Sequence, residues 1–144
     1  MAELVITVHG TPAPQGSKRH VGNGVMVESS GAVLPWRQAV AEAWREAGRI
    51  HLFGAVEMEV TFSLARPAGH YRADGTLRPN ARAHPYVRPD LDKLLRSTLD
   101  ALSKDARAVL DDARIVAVTA RKVYADPPRL PGAVIVLREL GTAA

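Results

Sequence analysis

At 144 residues and 47% hydrophobic content, the chain has the size and apolar material of one ordinary folded domain, and no run approaches the roughly 18 consecutive apolar residues of a membrane span. It has no cysteine, which excludes disulfides, thiolate ligands and a thiol nucleophile, so any metal it binds is expected to be a hard cation held by oxygen or imidazole. The net charge of +4, with 15 arginines among 19 basic residues, fits a polyanionic partner and equally a mildly basic surface that binds nothing in particular. Met1-Ala2-Glu3 lacks the basic and apolar regions of a secretory signal, and the expectation is a cytoplasmic protein with no membrane association.

Leu4 to Val8 is a β-branched run closed by Gly10 and Pro12, and it reads as a first strand. A Gly/Pro-rich loop containing Lys18 and Arg19 follows, and the Gly22-Asn23-Gly24 triplet reads as the tip of a small hairpin. Trp36, Val40, Ala43, Trp44 and Ala47 recur at three- and four-residue spacing, which predicts an amphipathic helix ending near Gly48 with both tryptophans in the core. Val56, Met58, Val60, Phe62 and Leu64 alternate with polar residues, the mark of a strand with one buried and one wet face.

Residues 65–89 have four prolines and no sustained periodicity, a length that marks a connection as either functional or disordered. Five arginines against Asp74 leave an excess of four positive charges, equal to that of the whole protein. Tyr71 and Tyr86 lie among those arginines, and cations beside stacking rings suit an irregular nucleic acid. The alternative is a solvated loop.

Leu91, Leu94, Leu95, Leu99 and Leu102 define a second helix opened by Pro89-Asp90, with Asp92, Arg96 and Asp100 on its other face. Asp111-Asp112 then precedes a strand from Ile115 to Tyr124, and Ala133 to Leu137 forms a last strand. This order predicts a single α+β domain over residues 1–144: a mixed sheet with two main helices packed on one face, and a long basic loop at 65–89.

Asp90, Asp92, Asp111 and Asp112 can converge only if the chain doubles back after the second helix. If it does, their oxygens need a cation, and Mg²⁺, with Mn²⁺ as the other choice, suits a small open cluster completed by phosphate oxygens. Arg96, one turn beyond Asp92, would hold a phosphate. Against this stand ordinary structural roles: an N-cap for Asp90, ion pairing for Asp92, Arg96 and Asp100, and a turn for Asp111-Asp112.

The segment His84-Pro85-Tyr86-Val87-Arg88-Pro89-Asp90-Leu91-Asp92-Lys93-Leu94-Leu95-Arg96, with Leu99-Asp100-Ala101-Leu102 and Asp111-Asp112-Ala113-Arg114-Ile115-Val116, resembles the RusA family of Holliday-junction resolvases. The loop Gly10 to Arg19 is similar to that family's N-terminal Gly/Pro/basic loop, so the resemblance spans most of the chain. It implies a homodimeric α+β endonuclease of bacteria or their phages that cuts four-way DNA junctions with Mg²⁺ or Mn²⁺. The implied metal ligands are Asp90, Asp92 and Asp112, with Asp111 the weaker candidate of its pair. Two positions depart from the family pattern: Lys93 stands where the family has Asn, and Arg96 where it has a catalytic Lys. Arginine keeps the charge and grips phosphate, but it does not give up a proton easily.

The expected DNA contacts are Lys18, Arg19, Arg78, Arg82, Arg88, Lys93 and Lys122. A straight strand carries Lys122 roughly 33 Å from Asp112, which assigns it to the DNA backbone or a partner subunit. The competing readings are a branched-DNA-binding protein of the same fold with weak or no cleavage, and a phosphohydrolase of small molecules.

Overall fold

The structure, a computed structural model, describes residues 2–16, 18–20, 26–28 and 31–141, with the backbone alone described for 18–20 and 26–28. In chain order its elements are β1 (Glu3–His9), β2 (Lys18–His20), β3 (Met26–Glu28), α1 (Val33–Glu46), β4 (Val56–Leu64), α2 (Leu91–Asp100), β5 (Ile115–Tyr124) and β6 (Gly132–Glu139). This is the small α+β arrangement expected from the sequence, and it has one contiguous core.

Side-chain alternation decides how the sheet is covered. β1 buries Leu4, Ile6 and Val8, β4 buries Met58, Val60 and Phe62, and β6 buries Ala133, Ile135 and Leu137. These side chains meet α1 and α2 on one face, while Glu3, Val5 and Thr7 of β1 turn to solvent on the other. Trp36 and Trp44 are buried as expected, and Trp36 Nε1 donates to Thr98 Oγ1 at 3.1 Å, joining the two helices.

The strand order is β1-β6-β4-β5, antiparallel except for the parallel β4–β5 pair. A parallel pair needs a long crossover, and here residues 65–114 supply it, carrying both the basic loop and α2. Gly132 admits the close approach of β6 to β1, because its φ is +150° and a Cβ there would collide with the Val8 carbonyl.

One expectation changes. The second helix does not run evenly to Leu102: α2 ends at Asp100 and passes into a π turn over Ala101–Asp105, with Ala106 N–H donating to Ala101 O at 2.8 Å. Three consecutive buried residues, Ala101, Leu102 and Ser103, exceed what one narrow α-helical face accommodates, and the wider turn buries them all. β2 and β3 pair antiparallel, while the hairpin tip read at Gly22-Asn23-Gly24 lies outside the described residues. No helix among the described residues is long and apolar enough to cross a membrane.

Candidate active site

Asp90 takes the N-cap position of α2, yet its carboxylate makes no capping hydrogen bond; its neighbour is Lys93 Nζ at 3.5 Å. Asp92 sits exposed in the first turn and Arg96 exposed one turn later, and neither is engaged by another side chain among the described residues. Asp100 pairs with Lys104 at 3.6 Å instead of with Arg96. The ion pairing that competed with function is therefore not seen for Asp92 and Arg96 among the described residues, while Asp90 pairs with Lys93 in place of capping the helix. Charges exposed at a helix N-terminus, as Asp92 is here, are available to a ligand.

Lys122 holds this corner in place. It lies on β5 beside Phe62 of β4, on the helix-covered face, and its ammonium donates to Val87 O and Pro89 O, both at 2.7 Å. The sequence assigned Lys122 to DNA or a partner on distance alone. The structure gives it work inside the protomer, fixing the approach to α2 next to Asp90. Lys122→Met keeps the stem and removes both bonds; it is expected to reduce phosphodiester cleavage on the order of 10- to 100-fold while leaving the fold intact. Wild-type rates in a variant with unchanged circular dichroism would remove Lys122 from this role.

Asp111 and Asp112 lie elsewhere. Asp111 caps a single 3₁₀ turn, Asp112–Arg114, by accepting the Ala113 N–H at 2.9 Å, and this bond, with a smaller contribution from Asp112, holds its carboxyl below the usual carboxylate range. Asp112 is exposed beside a shallow hollow lined by Ser103, Lys104 and Arg107.

β5 starts just after this acidic pair and carries Lys122, two residues before its end, to the corner near Asp90, so the two acidic features lie toward opposite ends of one strand. Seven residues of strand separate Ile115 from Lys122, a span on the order of 20 Å. The chain doubles back after α2, but β5 runs away from the acids of the helix. Convergence of the four aspartates within one chain is thus not met. No group of three or more His, Asp or Glu side chains among the described residues can hold a metal ion. Among the described residues, one protomer brings no third carboxylate to Asp90 and Asp92.

The 65–89 segment is tied down rather than loose. The Arg66 side chain is only 3% exposed and pairs with Asp126 at 2.6 Å. It also donates to Arg82 O at 2.7 Å and lies 4.3 Å over the Tyr124 ring. His70 Nδ1 stands 3.1 Å from Arg66, and burial followed by the Arg82 and Arg66 charges lowers the His70 pKa, which favours a neutral ring able to accept from Arg66. Composition counted Arg66 with the solvent-facing cations; burial makes it the anchor of the loop.

Arg82 is half-buried, its guanidinium 3.3 Å from Tyr124 Oη and 5.3 Å from the Tyr86 ring, and Tyr86 is 78% exposed. Arg72, Arg78 and Arg88 are exposed. Arg88 and Lys93 line one open cleft with Asp90, Pro14, Gln15 and Gly16, and the Gln15 N–H donates to Lys93 O at 2.9 Å. The N-terminal loop therefore meets α2 at the site, a proximity that sequence spacing does not reveal. Lys18 and Arg19 fall in β2, and their side chains lie outside the described residues.

The clasp gives a pH prediction. The Arg66 hydrogen bond is the first cause that holds the Asp126 carboxyl below its ordinary range. A group depressed in the folded state contributes stability above its unfolded pKa, about 4, and that contribution is lost as pH falls through the depressed value. Wild type should therefore melt above Asp126→Asn at pH 6, with the gap closing as pH drops below about 4. Asp126 is half exposed, so solvent screening keeps the gap to a few degrees. A gap that persists at acid pH would show that the ion pair is not its source.

A family model described as endodeoxyribonuclease RusA matches residues 9–134 of the 144. The chain belongs to the RusA family. The match runs from the last residue of β1 into the early part of β6, and so covers β2 to β5, both helices, the 65–89 loop and all four aspartates of the RusA chain. A search of curated proteins found no match. The family is one of endodeoxyribonucleases, whose substrate is DNA.

Proposed function

We infer that the protein is a metal-dependent endodeoxyribonuclease that resolves Holliday junctions or related branched DNA by paired, symmetric phosphodiester cleavage. The observation that carries this reading is the corner of α2. In a chain of an endodeoxyribonuclease family, Asp92 and Arg96 are exposed with no side-chain partner among the described residues, Asp90 beside them pairs with Lys93, and Lys122 holds the Val87 and Pro89 carbonyls just before the helix. Asp90, Asp92 and Asp112 are the proposed cation-binding carboxylates, with Asp111 committed to its cap, and Mg²⁺ or Mn²⁺ is the proposed cation. Arg96 would grip a phosphate with its planar fork, and Lys93, 3.5 Å from Asp90, would offset charge there. The protein acts as a homodimer on this reading, since a four-way junction is nearly two-fold symmetric and resolution requires two related cuts.

Arg78, Arg88 and the exposed Tyr86 ring would carry the DNA arms, by phosphate pairing and base stacking. Arg78→Ala is expected to weaken junction binding and to lower the slope of log affinity against log salt by about 1. An unchanged slope in fluorescence anisotropy would take Arg78 off the DNA path.

A second reading, a branched-DNA-binding protein with little cleavage, draws support from Arg96 where the family's catalytic Lys is expected and from acids that one chain does not gather. One experiment separates the two. Full-length protein is incubated with a synthetic four-way junction and a linear duplex, with Mg²⁺, with Mn²⁺ and with chelator. Symmetric, metal-dependent cuts in the junction support the nuclease. Tight binding with no cut in either metal sinks it and leaves the binding protein.

A further inference from the structure

The sheet face turned away from α1 and α2 is acidic at one end and hollow at the other. At the acidic end Arg138 donates to Glu3, Glu57 and Glu59 at 2.8, 3.3 and 3.2 Å, three carboxylates around one guanidinium. At the other end two rows of register partners cross the sheet: Thr7, Val134 and Thr61, and one step on His9, Gly132 and Ser63. Gly132 has no side chain, so the floor drops between His9 and Ser63. Pro128, Arg129 and Leu130 raise one wall, from a turn in which the Arg129 N–H donates to Asp126 O at 2.8 Å, and the cleft so formed measures about 320 Å³. That is the size of a small-molecule site.

The chemistry of the cleft is one-sided. Thr7, Thr61 and Ser63 bring hydroxyls, His9 an imidazole and Arg129 a guanidinium, and none of these five side chains has a hydrogen-bond partner among the described residues. No described carboxylate lines the cleft, and Asp126, whose charge Arg129 feels, is already paired with Arg66 at 2.6 Å. Ser63 is the decisive member. It is only 5% exposed, and it lines the cleft. A buried hydroxyl ordinarily finds a partner, and one that the protein leaves unserved is free for what the cleft holds.

We propose that this cleft binds a phosphate ester of nucleotide size, with the phosphate on Arg129, His9 and the three hydroxyls and the body of the ligand on Val134, Leu130 and Pro128. Five donor groups are more than the two coplanar oxygens of a carboxylate serve well, whereas a phosphate offers three acceptor oxygens in a tetrahedral spread and suits the fork of arginine. Val134 is 45% and Leu130 63% exposed, apolar surface that a sugar or base would cover. The three carboxylates around Arg138 repel an anion from the far end of the same face, which confines it to the cleft. The phosphate can come from a free nucleotide or from the backbone of bound DNA. α2 packs on the other face of the sheet, so the cleft is separate from the corner at Asp90, and the proposal does not rest on the nuclease reading.

Deoxyadenosine 5′-monophosphate is the probe, titrated by calorimetry into full-length protein in the presence of chelator, with deoxyadenosine as the control that lacks the phosphate. Junction affinity is measured on the same preparations by anisotropy. If the ligand is a free nucleotide, wild type binds the monophosphate and not deoxyadenosine, Arg129→Gln weakens binding about 10- to 100-fold, and Ser63→Ala weakens it about fivefold. Val134→Glu, which sets a carboxylate on the floor at an exposed position, abolishes it, and junction affinity holds throughout. Ser63→Ala should also melt no lower than wild type, because no protein partner is lost.

If the ligand is a backbone phosphate, both Arg129→Gln and Val134→Glu weaken junction binding, and Arg129→Gln lowers the salt slope by about 1. Circular dichroism checks each fold, and Arg129, being exposed, carries the test even where Val134→Glu fails to fold. Monophosphate and junction binding that both ignore these variants overturn the proposal. A wild type that binds no junction counts against the nuclease reading, while the monophosphate still judges the cleft.

Discussion

Asp92→Asn should lower junction cleavage by roughly 10²- to 10³-fold, about 2.7–4 kcal/mol of transition-state stabilisation, while junction affinity holds or rises. Asp92 is exposed in the first turn of α2 and makes no side-chain bond among the described residues, so its loss costs the fold little and any deficit belongs to the chemistry. On the proposed reading the surface around Asp92 faces DNA, and removing a negative charge there also eases binding. Single-turnover cleavage and anisotropy on the same preparation separate the two effects. A variant that cuts at the wild-type rate would falsify the assignment of Asp92. Arg96→Lys on the same helix face asks a narrower question. If the site needs a proton donor, lysine speeds cleavage; if it needs a forked grip on phosphate, lysine slows it.

Trp36→Ala should destabilise the protein by roughly 3–5 kcal/mol, the range for deleting a fully buried aromatic side chain. The indole is 1% exposed, lies 6.5 Å from the Phe62 ring between centroids, and donates to Thr98 on α2. Trp36→Phe keeps most of the bulk and isolates the hydrogen bond, at about 1 kcal/mol plus a smaller packing cost. Because Trp36 joins α1 to the helix that presents Asp90 and Asp92, the alanine variant should lose cleavage below its melting temperature as well. Denaturant unfolding with an unchanged midpoint would contradict the packing argument.

Much of the architecture could be read directly. Strict alternation placed β4 at Val56–Leu64, and the β-branched run placed β5 at Ile115–Tyr124, since a two-residue period survives in sequence wherever one face is buried. Both tryptophans announced the core by their spacing on α1. The 65–89 segment was harder. Its arginines look alike in a charge count, yet Arg66 is buried against Asp126 and Tyr124 while Arg78 faces water, a distinction made by residues 60 positions away.

The candidate site divides along the same line. Local sequence determined which chemistry is present: carboxylates at the start of a helix, an arginine one turn on, a second acidic pair before a strand, no thiol, and the motif spacing of the RusA family. Those are properties of neighbouring residues. Tertiary structure alone decided where they stand. The parallel β4–β5 pairing sends β5 back along α2, so Lys122 reaches the corner at Asp90 while Asp111-Asp112 stay at the far end of the strand. Strand direction and sheet order are set by long-range pairing and core burial, which leave no signature in the spacing of the aspartates themselves.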